Sequence, residues 1–349
     1  MAKTPRKNIN LALQGGGAHG AFTWGVLDCI LEDDRLNIEA ISGTSAGAMN
    51  AVALADGLAD GGRDGARQTL HDFWEKMSEL ALYSPINRSF YNKFMGSWGL
   101  DNSMTFQMSD AMSRMFSPYQ FNPFNINPLR SVIEKTIDFD RVRVCTDLKL
   151  YISATNVETG RVHVFKRELL DTDRVLASAC LPNLYQAIEI DGVPYWDGGY
   201  VGNPALFPFY DESISNDIVV VQINPIERKG APTTAQDIQN RINEIAFNAS
   251  LLKEYRAIDF VARLIEEGKL DSEVYRHERI HIIQNDEALA PLGASSKMNA
   301  EWSFLVHLKE IGYETTKKWI SKNYKYLGVK STVDLRDMFQ GIIDPDEDK

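Results

Sequence analysis

The first 75 residues alternate strand-like and helix-like runs, and no other feature limits the fold so strongly. Residues 9–13 are a short apolar strand and residues 21–32 a helical run; strand 39–42 and helix 46–58 repeat the unit. Strands joined through a helix run parallel, and a parallel sheet needs helices on both faces. Asp60–Gly65 reads as a loop and Gln68–Leu80 as a further helix. Strands follow at 149–154 and 161–165, then a hairpin over 187–196 that turns at Asp191-Gly192. Asp217–Ile223 is nearly all β-branched, as a central strand buried on both faces should be. Beyond Pro232 the pattern turns helical, with one strand at 279–283 and a helix from about Asn299 to Tyr324. The expected fold class is α/β: a three-layer α/β/α arrangement on a mainly parallel central sheet, with a C-terminal helical extension.

Two glycine-rich turns and one acidic turn punctuate this scaffold. Gly43-Thr44-Ser45-Ala46-Gly47 lies between a strand and a helix. A sharp turn there thrusts a serine hydroxyl into the open, and the glycines on either side leave room for it. The helix beginning at Ala46 would stabilise negative charge developing beside Ser45. Gly15-Gly16-Gly17-Ala18-His19-Gly20 follows the first strand and opens the first helix. Its backbone N–H groups can converge on one concavity, which suits an oxyanion and a phosphate equally. Tyr195-Trp196-Asp197-Gly198-Gly199 ends the hairpin, and the glycines let Asp197 be aimed without crowding.

In this order and spacing the three clusters resemble the patatin-like phospholipase family. The pattern is G-G-G-x-x-G, G-x-S-x-G and D-G-[GA], standing here at 15–20, 43–47 and 197–199. Ser178-Ala179-Cys180-Leu181-Pro182 before the acid and Asn203-Pro204 after it extend the likeness, which covers roughly residues 9–225. The resemblance implies a Ser–Asp dyad without histidine that hydrolyses acyl esters of lipids. Ser45 would be the nucleophile and Asp197 the base. Gly15, Gly16 and Gly17, with the Ala46 N–H, would hold the oxyanion, while Gly20, Gly43, Gly47, Gly198 and Gly199 shape the motifs. No metal and no organic cofactor is implied. His19 departs from the pattern, because the family usually places Arg or Lys there. An ordinary histidine, with pKa about 6.5, is mostly neutral at pH 7, so His19 is expected to pack or cap the first helical turn.

Two rival readings compete with this one. A Ser–His–Asp triad needs an imidazole, and His281 has the right chain order, but a lone histidine inside an apolar strand is more often a sheet residue. The loop Gly15, Gly17, Gly20 also fits G-x-G-x-x-G, the dinucleotide fingerprint. That reading needs an acid at the end of the second strand, where the chain instead runs into the serine turn. An acyl-transfer site is favoured, with hydrolysis ahead of transfer to an alcohol acceptor and ahead of a non-catalytic lipid-binding module.

Composition narrows the partners. A net charge of −11 opposes nucleic-acid binding, and no run of 18 apolar residues suggests a membrane span. Three scattered cysteines and no secretory leader fit a cytoplasmic protein, peripheral to membranes at most. The partners expected are a lipid ester and a transient membrane surface. Residues 1–230 form the expected catalytic domain, and residues 231–349 the helical extension, ending in the acidic tail Asp344–Asp348. Within the first domain, residues 77–128 hold ten aromatics, six methionines and only six charges. Met104, Met108, Met112 and Met115 share a helical face there, which reads as a cap over an acyl groove. In helix 235–268, Ile238, Ile242, Ile245, Ala249 and Leu252 make a seam suited to packing on its own domain or to a homodimer.

Overall fold

The computed structural model describes residues 6–82, 88, 89, 92, 96–213 and 215–341. The acidic tail, most of the basic N-terminus and residues 83–87, 90, 91 and 93–95 of the 77–128 block lie outside them. Eight strands form one sheet: β1 (Lys7–Leu13), β2 (Leu36–Gly43), β3 (Lys149–Asn156), β4 (Val162–Lys166), β5 (Ile188–Ile190), β6 (Val193–Asp197), β7 (Asp217–Val221) and β8 (Arg279–Ile283). Their order is β5-β6-β3-β2-β1-β7-β8, with β4 beside β3. Pairings from β3 through β2, β1 and β7 to β8 are parallel, whereas β4, β5 and β6 join antiparallel. The hairpin turn falls at Asp191 and Gly192, both at positive φ, which matches the right-handed twist of its strands.

Alternation along β1 supplies both layers. Ile9, Leu11 and Leu13 face α1 (Gly20–Glu32) and α2 (Ala46–Leu82), while Ala12 faces the opposite layer with Ile218, Val220, Leu251 and Tyr255. The expected loop at 60–65 is instead a break within α2. Gly61 and Gly62 leave helical geometry, and the chain re-enters the helix at once. A third helix, α3 (Met104–Met115), buries only Phe106.

The residues beyond 230 complete the fold rather than append to it. Strand β8 pairs in register with β7, with Val219 opposite His281. The long helix α4 (Ala235–Glu266) covers one face of the sheet. Helix α5 (Trp302–Asn323) lies against α1 so closely that a Cβ on Gly312 would collide with the Phe22 carbonyl. The expected boundary at 230/231 therefore coincides with no break in the sheet. The α4 seam is also displaced. Glu244, Asn248, Leu251, Tyr255 and Ile258 are its buried positions, one residue earlier than the apolar row, and Ile238, Ile242 and Ile245 are largely exposed. A one-residue offset turns the face by about 100°, and it escapes hydrophobic patterning because two buried positions are polar. All three cysteines are buried and free. No helix among the described residues is long and apolar enough to cross a membrane.

Candidate active site

Loops at the carboxyl ends of parallel strands gather where helices begin, and both glycine-rich turns sit there. Ser45 adopts φ +53°, the strained geometry of a residue forced out between strand and helix. Closeness explains one flanking glycine: a Cβ on Gly47 would strike the Leu13 carbonyl. The turn is tied at each residue. Thr44 N–H donates to Leu13 O (3.2 Å), its hydroxyl donates to Gly202 O (2.6 Å), and Ser45 N–H donates to the Ser178 hydroxyl oxygen (2.9 Å).

Asp197 ends β6 and is 1% exposed. Its N–H donates to Cys180 O (2.8 Å) and its carbonyl accepts the Thr155 hydroxyl (2.7 Å), so the backbone cannot swing. One carboxylate oxygen accepts the Gly199 N–H at 2.7 Å. Burial raises the carboxyl to about 6, against the lowering pull of that bond and of the Ser45 hydroxyl.

The loop 15–20 divides its amides between structure and site. Gly15 N–H donates to Asn203 Oδ1 at 2.7 Å, so it has no proton left for a ligand. That corrects the expectation of three equivalent glycine donors. The Gly16, Gly17 and Ala46 N–H groups have no protein partner among the described residues. His19 is 2% exposed, and its Nε2 meets the Ser296 hydroxyl at 2.7 Å. Burial, with Lys297 and Arg228 nearby, pushes its imidazole well below the ordinary value. It is a neutral clamp to the C-terminal third, and its side chain makes no cap hydrogen bond to the first helical turn.

Ser45, Asp197, Gly16, Gly17 and Ala46 open on one cavity of about 300 Å³. Its walls are mainly apolar, among them Met49, Phe73, Trp74, Met77, Leu129 and Phe247. Lys297 and Met298 close it from the C-terminal third. The methionine face of α3 does not line it. Met104, Met108, Met112 and Met115 are 48–77% exposed, and among the described residues of the expected cap only Met77 reaches the wall. Among the described residues no histidine lines the cavity. His281 is fully buried in β8, where its Nε2 meets Asp217 Oδ1 at 2.9 Å and its Nδ1 meets the Thr332 hydroxyl at 3.2 Å. Sequence reasoning missed Ser178, Asn203, Asn224 and Lys297, which hydrogen-bond the glycine-rich turns or line the cavity. Ser178 and Asn203 lie within stretches the family pattern flags, whereas Asn224 and Lys297 stand in no local motif.

No curated protein shows significant similarity to the chain. Among solved structures, VipD from Legionella pneumophila is 15% identical, with 88% of this chain and 68% of that one covered at a TM-score of 0.36. ExoU of Pseudomonas aeruginosa, solved with SpcU, is also 15% identical, with 90% and 53% covered at a TM-score of 0.35. The chain thus spans about two thirds of VipD and about half of ExoU. The sequence pattern of the patatin-like phospholipases matches residues 11–210, which include both glycine-rich turns and Asp197 and make up more than half of the chain, so the chain belongs to the patatin-like phospholipase family, a family of lipid acyl hydrolases.

Proposed function

We propose that the protein hydrolyses carboxylic esters of lipids through an acyl-Ser45 intermediate, with Asp197 as the base. Ser45 Oγ attacks the ester carbonyl and its proton passes to Asp197. The alcohol leaves with that proton as the tetrahedral intermediate collapses. Water then attacks the acyl-Ser45 and gives a proton to Asp197, which returns it to Ser45 Oγ as the second tetrahedral intermediate collapses and the fatty acid leaves. Gly16, Gly17 and Ala46 supply N–H donors for the oxyanion, and the α2 N-terminus adds its partial positive charge. The observation that carries this reading is a buried carboxyl raised to about 6 in the same cavity as a strained, outward-forced serine. A carboxylate of that pKa is a stronger base than an ordinary aspartate. The apolar walls suit an acyl chain. The exposed methionines of α3, with Phe124 and Ile126, suit contact with a lipid surface.

The test is labelling by a fluorophosphonate and turnover of a phosphatidylcholine vesicle in three folded variants. Ser45→Ala should lose labelling and about a thousand-fold or more in kcat. Asp197→Asn should lose nearly as much, and His281→Ala should keep most of the rate. Residual turnover in Ser45→Ala, or inactivity of a folded His281→Ala, overturns the dyad.

A further inference from the structure

The cavity carries one ammonium that the proposed chemistry leaves unused. Lys297 belongs to the short 3-10 turn Ala294–Met298, far along the chain from both catalytic motifs. The residue is partly exposed, but its Nζ is drawn inward and donates to Asn224 Oδ1 at 2.7 Å. An ammonium can only donate, so Asn224 must turn its oxygen to Lys297 and its NH₂ the other way. There Nδ2 donates to Gly15 O at 2.7 Å and to Gln14 Oε1 at 3.2 Å. In a trans peptide the C=O and the next N–H point in opposite directions. Holding the Gly15 carbonyl toward Asn224 therefore aims the Gly16 N–H away from it, and that is the first loop amide without a protein partner.

We infer that Lys297 is a positioning residue for the oxyanion hole, acting through the Asn224 amide and the Gly15 carbonyl to aim the Gly16 N–H. The inference rests on the Ser45 acyl-enzyme reading. The Lys297 segment is locked to the loop at two more points. Its carbonyl lies where a Cβ on Gly17 would be, and Gly17 sits at φ +59°. The Ser296 hydroxyl donates to Gly293 O at 2.6 Å, so in its contact with His19 it accepts, which assigns the proton to His19 Nε2.

Among the described residues, three charged or titratable groups act on Lys297. Glu244 comes from α4, Arg228 from the loop after β7, and His19 from the glycine loop. Glu244 is itself paired with Arg228 at 2.7 Å and with Arg241 at 3.3 Å. Burial lowers the Lys297 ammonium to about 8, with Glu244 pulling upward and Arg228 downward. At pH 7 the ammonium is mostly charged and orders Asn224. Above about 8 it becomes an amine that can also accept, and the one-way chain of donors loses its direction.

The experiment measures kcat and KM for p-nitrophenyl butyrate from pH 5 to 10 in wild type, Lys297→Met, Lys297→Arg and Asn224→Asp. Removing one oxyanion donor costs about 10²–10³ in kcat, so a misaimed donor should cost about ten- to a hundred-fold with KM little changed. Lys297→Met should show that loss at pH 7. Asn224→Asp should share it, because a carboxylate cannot donate to Gly15 O. Wild type should lose kcat as pH rises through about 8. Lys297→Arg, which stays charged, should keep most of the pH 7 rate and lose that alkaline limb. Full kcat in Lys297→Met, or an alkaline limb that persists in Lys297→Arg, overturns the inference. If Lys297→Met does not fold, the wild-type and Lys297→Arg profiles decide, and a wild-type rate flat to pH 10 counts against it. Activity surviving in Ser45→Ala instead sinks the acyl-enzyme reading itself, so the two failures are distinguishable.

Discussion

An aspartate that must take a proton from a serine hydroxyl is more useful the harder it is to ionise, and that places the base in conflict with the fold. Asp197 holds its proton more tightly folded than unfolded, so stability should fall as pH rises from 3.8 through about 6, and the whole cost stands above that. The climb corresponds to about 3 kcal/mol, an upper figure for a site that also opens on a cavity. Asp197→Asn should therefore be inactive yet more stable. Thermal melts should show Tm raised by several degrees at pH 8 and little changed at pH 4, and a variant melting below wild type at pH 8 would refute this. In wild type, kcat/KM should decline below about pH 6 as the base is protonated. At this scale the sequence was most legible for Ser45 and Asp197, because each sits in a turn whose chemistry is local. The division of labour among the glycines was not legible. Gly15 gives its amide to Asn203, 188 residues away, and nothing within the loop distinguishes it from Gly16.

Among elements, the helices show what periodicity alone leaves open. A repeat of fours and threes fixes that α4 packs, but not which of two adjacent stripes does so. Glu244 and Asn248 lie in the buried stripe because Arg228 and Gln14 meet them there. Likewise the methionine row of α3 was legible as one face, and only the tertiary structure turns that face outward. Met77 and Met108 belong to one low-charge block, yet Met77 lines the cavity and Met108 is 62% exposed. Two parallel substitutions separate their roles. Met77→Glu should lower kcat/KM for long-chain p-nitrophenyl esters more than for butyryl esters, since each buried methylene it opposes is worth about 0.8 kcal/mol. Met108→Glu should leave both soluble substrates alone and weaken co-sedimentation with phosphatidylcholine vesicles. The same long-to-short ratio in both variants would refute the division.

For the whole molecule, the pattern match covering residues 11–210 marks where the motifs lie, not where the structural unit ends. The alternation of strands and helices revealed a parallel sheet from the first 75 residues. That β8 would return to its far edge was beyond reach, because the charges that pair the two strands, Asp217 with Arg279 and His281, stand 62 and 64 residues apart with no adjoining signal. A fragment ending at residue 230 would leave β7 with an open edge, apolar but for an unpaired Asp217, and no α4 over one face of the sheet. It should aggregate, and neither melt cooperatively nor react with a fluorophosphonate. A soluble, labelled fragment would show that the C-terminal third is dispensable. Cavity and sheet also impose an order in time. A chain made from its N-terminus exposes Ser45 first and Asp197 next, while Phe247, Lys297 and Met298 follow roughly fifty to a hundred residues later. Ser45, the nucleophile of the proposed reaction, is therefore present long before the chamber that would admit a lipid to it.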